Sequence, residues 1–260
     1  PSILFVFYGT IASESIGRLF MGGIFPGLLL SSLYIIYVLI RAYLKPELCP
    51  ILPPEQRAIS LREKIVSTKG IILPVLLILA VLGSIYFGLA AITEAAGVGA
   101  LGAMICAAIY RRFSWKNIRA ALTSTMRSTA MVLWILFGVT AFVAVYQSVG
   151  GTTFVKNLMV GLPMNPWLIL IFMQMILIIM GAFIDPFGIT LLTVPIFLPV
   201  ITALGFDKLW FAILFNVNMQ IALLSPPFGA ALFYLRGSAS GLNMGQIYRS
   251  VWPFCLLQIL

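Results

Sequence analysis

Histidine is absent from the 260-residue chain, which excludes imidazole acid–base chemistry and His-ligated metal centres. Cysteine is nearly as scarce. Cys49, Cys106 and Cys255 stand far apart, outside the short spacings that hold a metal or a redox pair, and read as ordinary buried or loop thiols. Charged residues make up only 9%, with acids the fewest, 7 Asp and Glu against 16 Lys and Arg. No phosphate-cradling loop and no nucleophile beside a base occurs. An intramembrane aspartyl protease needs two facing aspartates on separate spans, and within its apolar segments this chain offers only Asp185. There is no initiator Met and no signal peptide with its charged n-region, and the last apolar run, Phe254 to Leu260, is short. The expectation is a stretch of a longer polypeptide.

Hydrophobic residues are abundant, at 62%, in repeated runs of about 15 to 20, the length that crosses a bilayer as a helix. The fold class expected is an all-α polytopic membrane protein. The excess of cations does not point to nucleic acid, because Lys and Arg gather in short loops between spans, as the positive-inside rule requires.

In chain order, Ser2 to Tyr8 reads as the exit half of a helix and Ile11 to Met21 as an interfacial segment with Glu14 and Arg18. Gly22 to Ile40 is a span. Arg41 to Lys69 follows as a cytoplasmic loop with Pro46, Pro50, Pro53 and Pro54. Ile71 to Leu89 spans, breaks around Thr93–Gly97 and returns through Val98 to Tyr110 into a second basic loop with Arg111, Arg112, Lys116 and Arg119. Met126 to Gln147 crosses back, and Ser148 to Asn165 is an outer Gly-rich connection. Pro166 to Met180 and Ile189 to Leu204 are two arms too short to span, predicting a re-entrant hairpin over residues 166–204 with its tip near Asp185. A last span starts at Val251. This topology leaves only Arg18, Lys156 and Lys208 outside.

The run Leu209 to Arg236 is long enough to cross, yet its middle reads Ser225-Pro226-Pro227-Phe228-Gly229. Neither proline has an N–H, and each costs roughly 3 kcal/mol inside a helix, so the helix must break. Within a membrane such a break is tolerated where it lines a cavity or is buried in protein, which makes it a binding-site candidate with Asn216, Asn218, Gln220 and Ser225 upstream. Asn218 and Gln220 lie two apart and point different ways on a helix, so at most one need face the site. Asp185, in a Gly- and Pro-marked break, reads as a cation ligand or as a helix cap. Glu94 reads as support for a helix N-terminus, and Arg127 as a side chain snorkelling to headgroups. The half-helices after Pro186 and Pro227 would each present partial positive charge to an anion, while unwound carbonyls would suit Na⁺.

Pro1 to Leu30 faintly repeats Pro227 to Leu257, with Phe7 and Tyr8 against Phe233 and Tyr234 and Pro26 against Pro253. In the topology above the copies are inverted, the architecture of secondary transporters. Three regions follow: residues 1–40 as the end of a truncated first repeat, 41–70 as a basic cytoplasmic linker, and 71–260 as the second repeat, with the broken helix at 209–236.

The combination of Ile184-Asp185, Leu192-Thr193-Val194-Pro195-Ile196-Phe197-Leu198-Pro199-Val200, Asn218 eight residues before Pro226-Pro227-Phe228-Gly229, Thr93-Glu94-Ala95-Ala96, and Ile16-Gly17-Arg18-Leu19-Phe20 with Pro26-Gly27 resembles the large membrane subunit of the tripartite ATP-independent periplasmic (TRAP) transporters over essentially the whole chain. The resemblance implies an elevator-type, Na⁺-driven importer of small organic acids such as C4-dicarboxylates. It implies a small membrane subunit and a periplasmic solute-binding protein as partners, in a bacterial or archaeal cytoplasmic membrane. Carried over by position, Gly181, Asp185, Asn218, Ser225, Pro226 and Gly229 would hold Na⁺. Asp185, Phe187, Gly188, Asn218, Pro227 and Gly229 would form half of the substrate site.

Two departures are Ala222, where the family often has Gly, and Ser225, where it has Thr. The run Ala231–Gly237 and the Pro-rich loop after Tyr43 resemble a branch associated with 2-oxo acids. Two other readings stay open from sequence: a stand-alone divalent-anion/sodium symporter needing no soluble receptor, and a non-transporting membrane scaffold subunit.

Overall fold

The computed structural model describes residues 2–48, 61–227, 229–238 and 243–259. Among them the regular elements are all helical, as the apolar runs predict. They are α1 (Ile3–Ala12), α2 (Ile16–Gly22), α3 (Ile24–Leu44), a 3₁₀ turn (Pro46–Leu48), α4 (Leu61–Tyr86), α5 (Ile92–Ile109) and α6 (Trp115–Ser148). There follow α7 (Gly151–Val160), α8 (Pro166–Gly181), α9 (Pro186–Ala203), α10 (Lys208–Leu224), α11 (Ala230–Ser238) and α12 (Met244–Ile259). Ile16–Leu44, Ile92–Ile109, Trp115–Ser148 and Pro186–Ala203 are each long and apolar enough to cross a membrane, and the chain is a multi-pass membrane protein. Cys49, Pro50, Pro53 and Pro54 of the expected cytoplasmic loop lie outside the described residues.

The chain divides into two units, Pro1–Ile36 with Ala130–Leu260, and Tyr37–Thr129. In the first, α9 is the hub, packed by α1, α7, α8 and α10, with Ile189, Val194, Val200 and Ile201 fully enclosed. A helix apolar all round suits burial on every side. Its two buried hydroxyls are satisfied locally: Thr190 donates to the Pro186 carbonyl at 2.6 Å and Thr193 to that of Ile189 at 2.7 Å. α8 and α10 run in the same direction, because Trp167 meets Trp210, Gln174 meets Asn218, and Gly181 meets Ala222. α9 returns antiparallel and brings Phe206 against Trp167 at 5.0 Å and Trp210 at 5.7 Å. This aromatic cluster suits a membrane–water interface. The hairpin tip and the end of α10 then lie at one level, ~21 Å along the helices from it at ~1.5 Å per residue.

The second unit contains α4 and α5 as an antiparallel pair. The Tyr110 hydroxyl donates to the Gly70 carbonyl at 2.8 Å, while Gly102 and Gly99 face Leu77 and Val81.

Several expectations are corrected. Ile11 to Met21 is not one interfacial segment: α1 ends at Ala12, Ser13 turns left-handed at φ 55°, and α2 restarts with the Ser15 hydroxyl accepting from the Arg18 N–H. The break before α5 lies at residues 87–91, with Gly88 at φ 68°, and not at Thr93–Gly97. Glu94 accepts from the Ala91 N–H at 2.8 Å, so Thr93-Glu94 starts a helix and does not end one. α4 begins at Leu61 and α6 at Trp115, since good helix formers carry both helices past the apolar stretch. The connection from Ser148 to Asn165 contains α7, and α12 begins at Met244. α9 takes in Pro186 to Gly188, because Pro is at home in a first turn. At 18 residues it is long enough to cross, so the expectation that neither hairpin arm can span is corrected for this arm; α8 has 16 residues.

From sequence, Asp207 does not stand out among acids beside apolar segments, yet it caps α10, its carboxylate accepting from the Trp210 N–H at 2.8 Å. Asp207→Ala is expected to cost roughly 1 kcal/mol, read as a lower unfolding midpoint in detergent. Asp207→Asn, an equally good cap, should stay near the parent.

Candidate ion and substrate site

The last turn of α8 tightens at the hairpin tip. Ala182 N–H donates to Ile179 at 3.2 Å, and Phe183 and Ile184 both donate to Met180, at 2.9 and 2.8 Å, so none of these N–H groups reaches the Gly181 carbonyl. Asp185 follows in an extended conformation as the N-cap of α9. Its Oδ1 accepts from the N–H groups of Phe187 at 2.9 Å and Gly188 at 3.1 Å, which places the carboxylate on the positive end of the helix. Its second oxygen accepts nothing among the described residues. The cap and ligand readings of Asp185 are therefore compatible: one oxygen caps and the other is left over. A Cβ at Gly188 would sit 3.1 Å from Asp185 Oδ2 and 3.2 Å from Ile184 Cγ2, so a side chain there would press on the carboxylate. Phe187 is held edge-on to Phe7 of α1, with ring centres 5.4 Å apart.

At the break, Ser225 adopts an extended conformation and ends α10. Its N–H and hydroxyl both return to the Ile221 carbonyl, at 2.7 and 2.8 Å. In an unbroken helix the carbonyls of Ala222 and Leu223 would accept from residues 226 and 227. Both are proline, so these two acceptors are freed. Gly229 N–H closes the turn onto the Ser225 carbonyl at 2.8 Å. A Cβ on Gly229 would lie 2.9 Å from the Leu223 oxygen and from the Leu224 carbonyl carbon. Phe228 lies outside the described residues. Behind the break, Tyr248 of α12 donates its hydroxyl to the Pro227 carbonyl at 3.1 Å. Ile221, Leu232, Ile247, Val251 and Cys255 form a buried cluster there.

The two halves meet at Gly181 and Ala222. A Cβ on Gly181 would fall 2.5 Å from the Ala222 Cβ and 2.9 Å from its Cα. The close approach is therefore made with a methyl on Ala222 and none on Gly181. Among the described residues no hydrogen bond joins Asp185 to the Ser225–Gly229 break.

Asn218 lies one turn before Ala222 on the same face of α10, ~6 Å away along the axis. Its Nδ2 donates to the backbone carbonyl of Gln174 at 3.1 Å and to Gln174 Oε1 at 2.5 Å. A backbone carbonyl can only accept, so the amide orientation is fixed. Asn218 Oδ1 and Gln174 Nε2 are left buried without partners among the described residues. Gln220 points elsewhere, its Nε2 donating to the Asn216 carbonyl at 3.4 Å. Gln174 is the residue missed from sequence. Its only signal is that it is the one amide side chain between Pro166 and Met180.

A Gln174→Ala, Asn218→Ala double-mutant cycle is expected to give a coupling of about 0.6 to 1.7 kcal/mol, the range for hydrogen bonds between membrane helices. Zero coupling in detergent unfolding would contradict the clasp.

The arrangement offers oxygen donors suited to a hard cation. The starts of α9 and α11 offer partial positive charge suited to an anion.

The family model described as "Tripartite ATP-independent periplasmic transporter, DctM component" matches residues 1–260. The C4-dicarboxylate TRAP transporter large permease protein DctM of Pseudomonas aeruginosa is 31% identical over 258 residues, 99% of this chain and 59% of that protein. The sialic acid TRAP transporter large permease protein SiaM of Vibrio cholerae is 30% identical over 256 residues, 97% of this chain and 58% of that protein. The isethionate TRAP transporter permease protein DctMQ of Oleidesulfovibrio alaskensis is 30% identical over 261 residues, all of this chain and 40% of that protein. The chain thus spans at most 59% of the length of these three relatives.

Proposed function

The chain belongs to the DctM component family of the tripartite ATP-independent periplasmic transporters, a family of transporters and not of enzymes, and from that premise we propose that the complete protein imports small organic acids by secondary active, Na⁺-coupled transport. A periplasmic solute-binding protein delivers the substrate, a small membrane subunit stands beside the permease, and the setting is a bacterial or archaeal cytoplasmic membrane. The observation that carries this reading is the Gly181–Ala222 contact, which sets the tip of a helical hairpin at the level of a Pro-Pro break. Relatives named for C4-dicarboxylates, sialic acid and isethionate support a small organic anion as the substrate class.

In this proposal Na⁺ is co-transported cargo. Its oxygen ligands are drawn from the free carboxylate oxygen of Asp185, the Gly181 carbonyl, the carbonyls freed by Pro226 and Pro227, and the lone pairs of the Ser225 hydroxyl. Gly229 and Asn218 hold the shape, the one by its closed turn and the other by its clasp on Gln174. The anionic end of the substrate is assigned to the start of α11, beside Pro227 and Gly229, because Asp185 already occupies the N–H groups of Phe187 and Gly188. Phe187 and Gly188 then form the wall opposite. Na⁺ ties the tip to the break, so the loaded and neutralised domain moves by an elevator step, with inverted repeats as its frame. By linkage, an ion that binds better beside substrate raises substrate affinity by the same factor.

The test is uptake of labelled organic acids into proteoliposomes holding the complete transporter, with and without an inward Na⁺ gradient and with and without the binding protein. Uptake needing both supports the proposal. Uptake on Na⁺ alone establishes a stand-alone symporter instead, and no uptake of any acid overturns the transport reading.

A further inference from the structure

The α6 helix carries a feature that transport of an organic anion does not use. It is 34 residues long, ~51 Å at 1.5 Å per residue, against a hydrocarbon core of ~30 Å. Residues 128–148 are apolar and by themselves match that core, which sets Arg127 at its edge. The preceding turns continue outward without a proline or glycine to interrupt them.

Along these turns Lys116, Arg119, Thr123 and Arg127 recur at spacings of three and four and so share one face. With Trp115, Ala120 and Ser124 they line a groove of about 570 Å³. The flank beside Arg119 and Trp115 presents Leu122 and Met126, both exposed.

The groove offers donors and no countercharge. Lys116, Arg119 and Arg127 form no ion pair among the described residues. The hydroxyls of Thr123 and Ser124 make no hydrogen bond there, whereas neighbouring Thr125 returns its own to the Ala121 carbonyl at 2.9 Å. No Asp or Glu occurs anywhere between Glu94 and Asp185. Exposed ammonium, guanidinium and hydroxyl donors on one face call for a ligand rich in anionic acceptors. The planar fork of Arg fits a phosphate in two hydrogen bonds at once.

The Arg119 Cα stands ~12 Å beyond that of Arg127 along the axis, close enough for both side chains to converge on the headgroup layer, with Trp115 lining the far end of the groove. We propose that the residue 115–127 face of α6 is a binding site for the phosphate headgroup of an anionic phospholipid, with Arg119 and Arg127 gripping the phosphate, Thr123 and Ser124 donating to it, and Lys116 adding field. The occupant is a lipid and not a soluble anion because the site begins where the apolar span ends, with exposed Leu122 and Met126 on the same turns to meet acyl chains. The site rests on α6 alone and stands or falls independently of the transport reading.

The test uses the complete transporter in vesicles of phosphatidylcholine alone, or of phosphatidylcholine with one fifth phosphatidylglycerol, and measures the labelled lipid retained on detergent extraction. Removing two cations near an anionic surface is worth about fivefold each, so Arg119→Gln with Arg127→Gln should lower phosphatidylglycerol retention roughly twentyfold and leave phosphatidylcholine retention unchanged. The Arg119→Lys, Arg127→Lys pair, which keeps the charge, should recover most of the loss. Equal retention by parent and Gln variant overturns the proposal, as does equal loss of both lipids. Displacement of the lipid by millimolar inorganic phosphate would show a soluble-anion site, and loss of a co-purifying protein subunit with lipid retention intact would show a protein interface; either result also overturns it.

Discussion

Uptake by the complete transporter is expected to fall between about tenfold and a hundredfold on Gly181→Val, with membrane insertion unchanged, the size of the 1 to 3 kcal/mol that overpacking costs. The cause is geometric. Even the first carbon of a side chain at Gly181 would lie 2.5 Å from the Ala222 Cβ and 2.9 Å from its Cα, inside any tolerable contact. The hairpin would be pushed off the broken helix at Ala222, one turn before the Pro-Pro break. Gly181→Ala should fail less severely, and adding Ala222→Gly should restore part of its uptake, because the nearer of the two clashing atoms is then gone. Parent-level uptake by Gly181→Val would show that the contact does not matter to transport.

The second large effect is at Asp185, where two substitutions separate two roles. Asn is as good an N-cap as Asp, so Asp185→Asn keeps the hydrogen bonds to Phe187 and Gly188 and removes only the charge. Apparent Na⁺ affinity is expected to fall on the order of tenfold, the worth of one charge-assisted contact, while thermal stability stays near the parent. Asp185→Ala removes both functions and should add a stability loss of about 1 kcal/mol. Should Asp185→Asn leave Na⁺ dependence unchanged, Asp185 is a cap and no ligand. The comparison is read in proteoliposome uptake against Na⁺ concentration, with insertion level as control.

Which parts of this were legible in the sequence follows from how local their causes are. The break after Leu224 is written in two adjacent prolines, whose missing N–H groups act wherever they stand. The Asp185-Pro186 start of α9 is equally local, since a cap is completed within three residues. Positions 93–94 divide in the same way: Glu94 reads from sequence as support for a helix N-terminus, and its carboxylate does reach back to Ala91 in the first turn of α5, whereas the break itself lies a few residues before Thr93–Gly97. The turn itself needed Gly88, whose positive φ leaves no distinctive pattern among so many glycines.

Contacts between distant elements were not legible. Gln174 draws its meaning from Asn218, 44 residues on, and a lone Gln in an apolar arm carries no sign of which helix it faces. The same holds for Gly181. From sequence it is a hinge residue beside Asp185, whereas its structural weight comes from lying opposite Ala222, a residue that by itself reads as a departure from the family pattern. α7 was hidden for a different reason: Gly150-Gly151 is strong loop punctuation, yet Gly150 adopts φ 79° as the residue from which a new helix starts.

In the proposed mechanism Na⁺ joins the hairpin tip to the broken helix. The most direct measurement is backbone amide exchange at Phe183, Ile184, Phe187, Gly188, Ser225 and Gly229 in the complete transporter, in Na⁺ and in K⁺ at equal ionic strength, for the parent and for Asp185→Asn. Na⁺ should slow exchange at both the tip and the break in the parent, and this protection should be largely lost in Asp185→Asn. Exchange at both places indifferent to Na⁺, in a protein whose uptake still depends on it, would contradict the claim and place the coupling ion elsewhere.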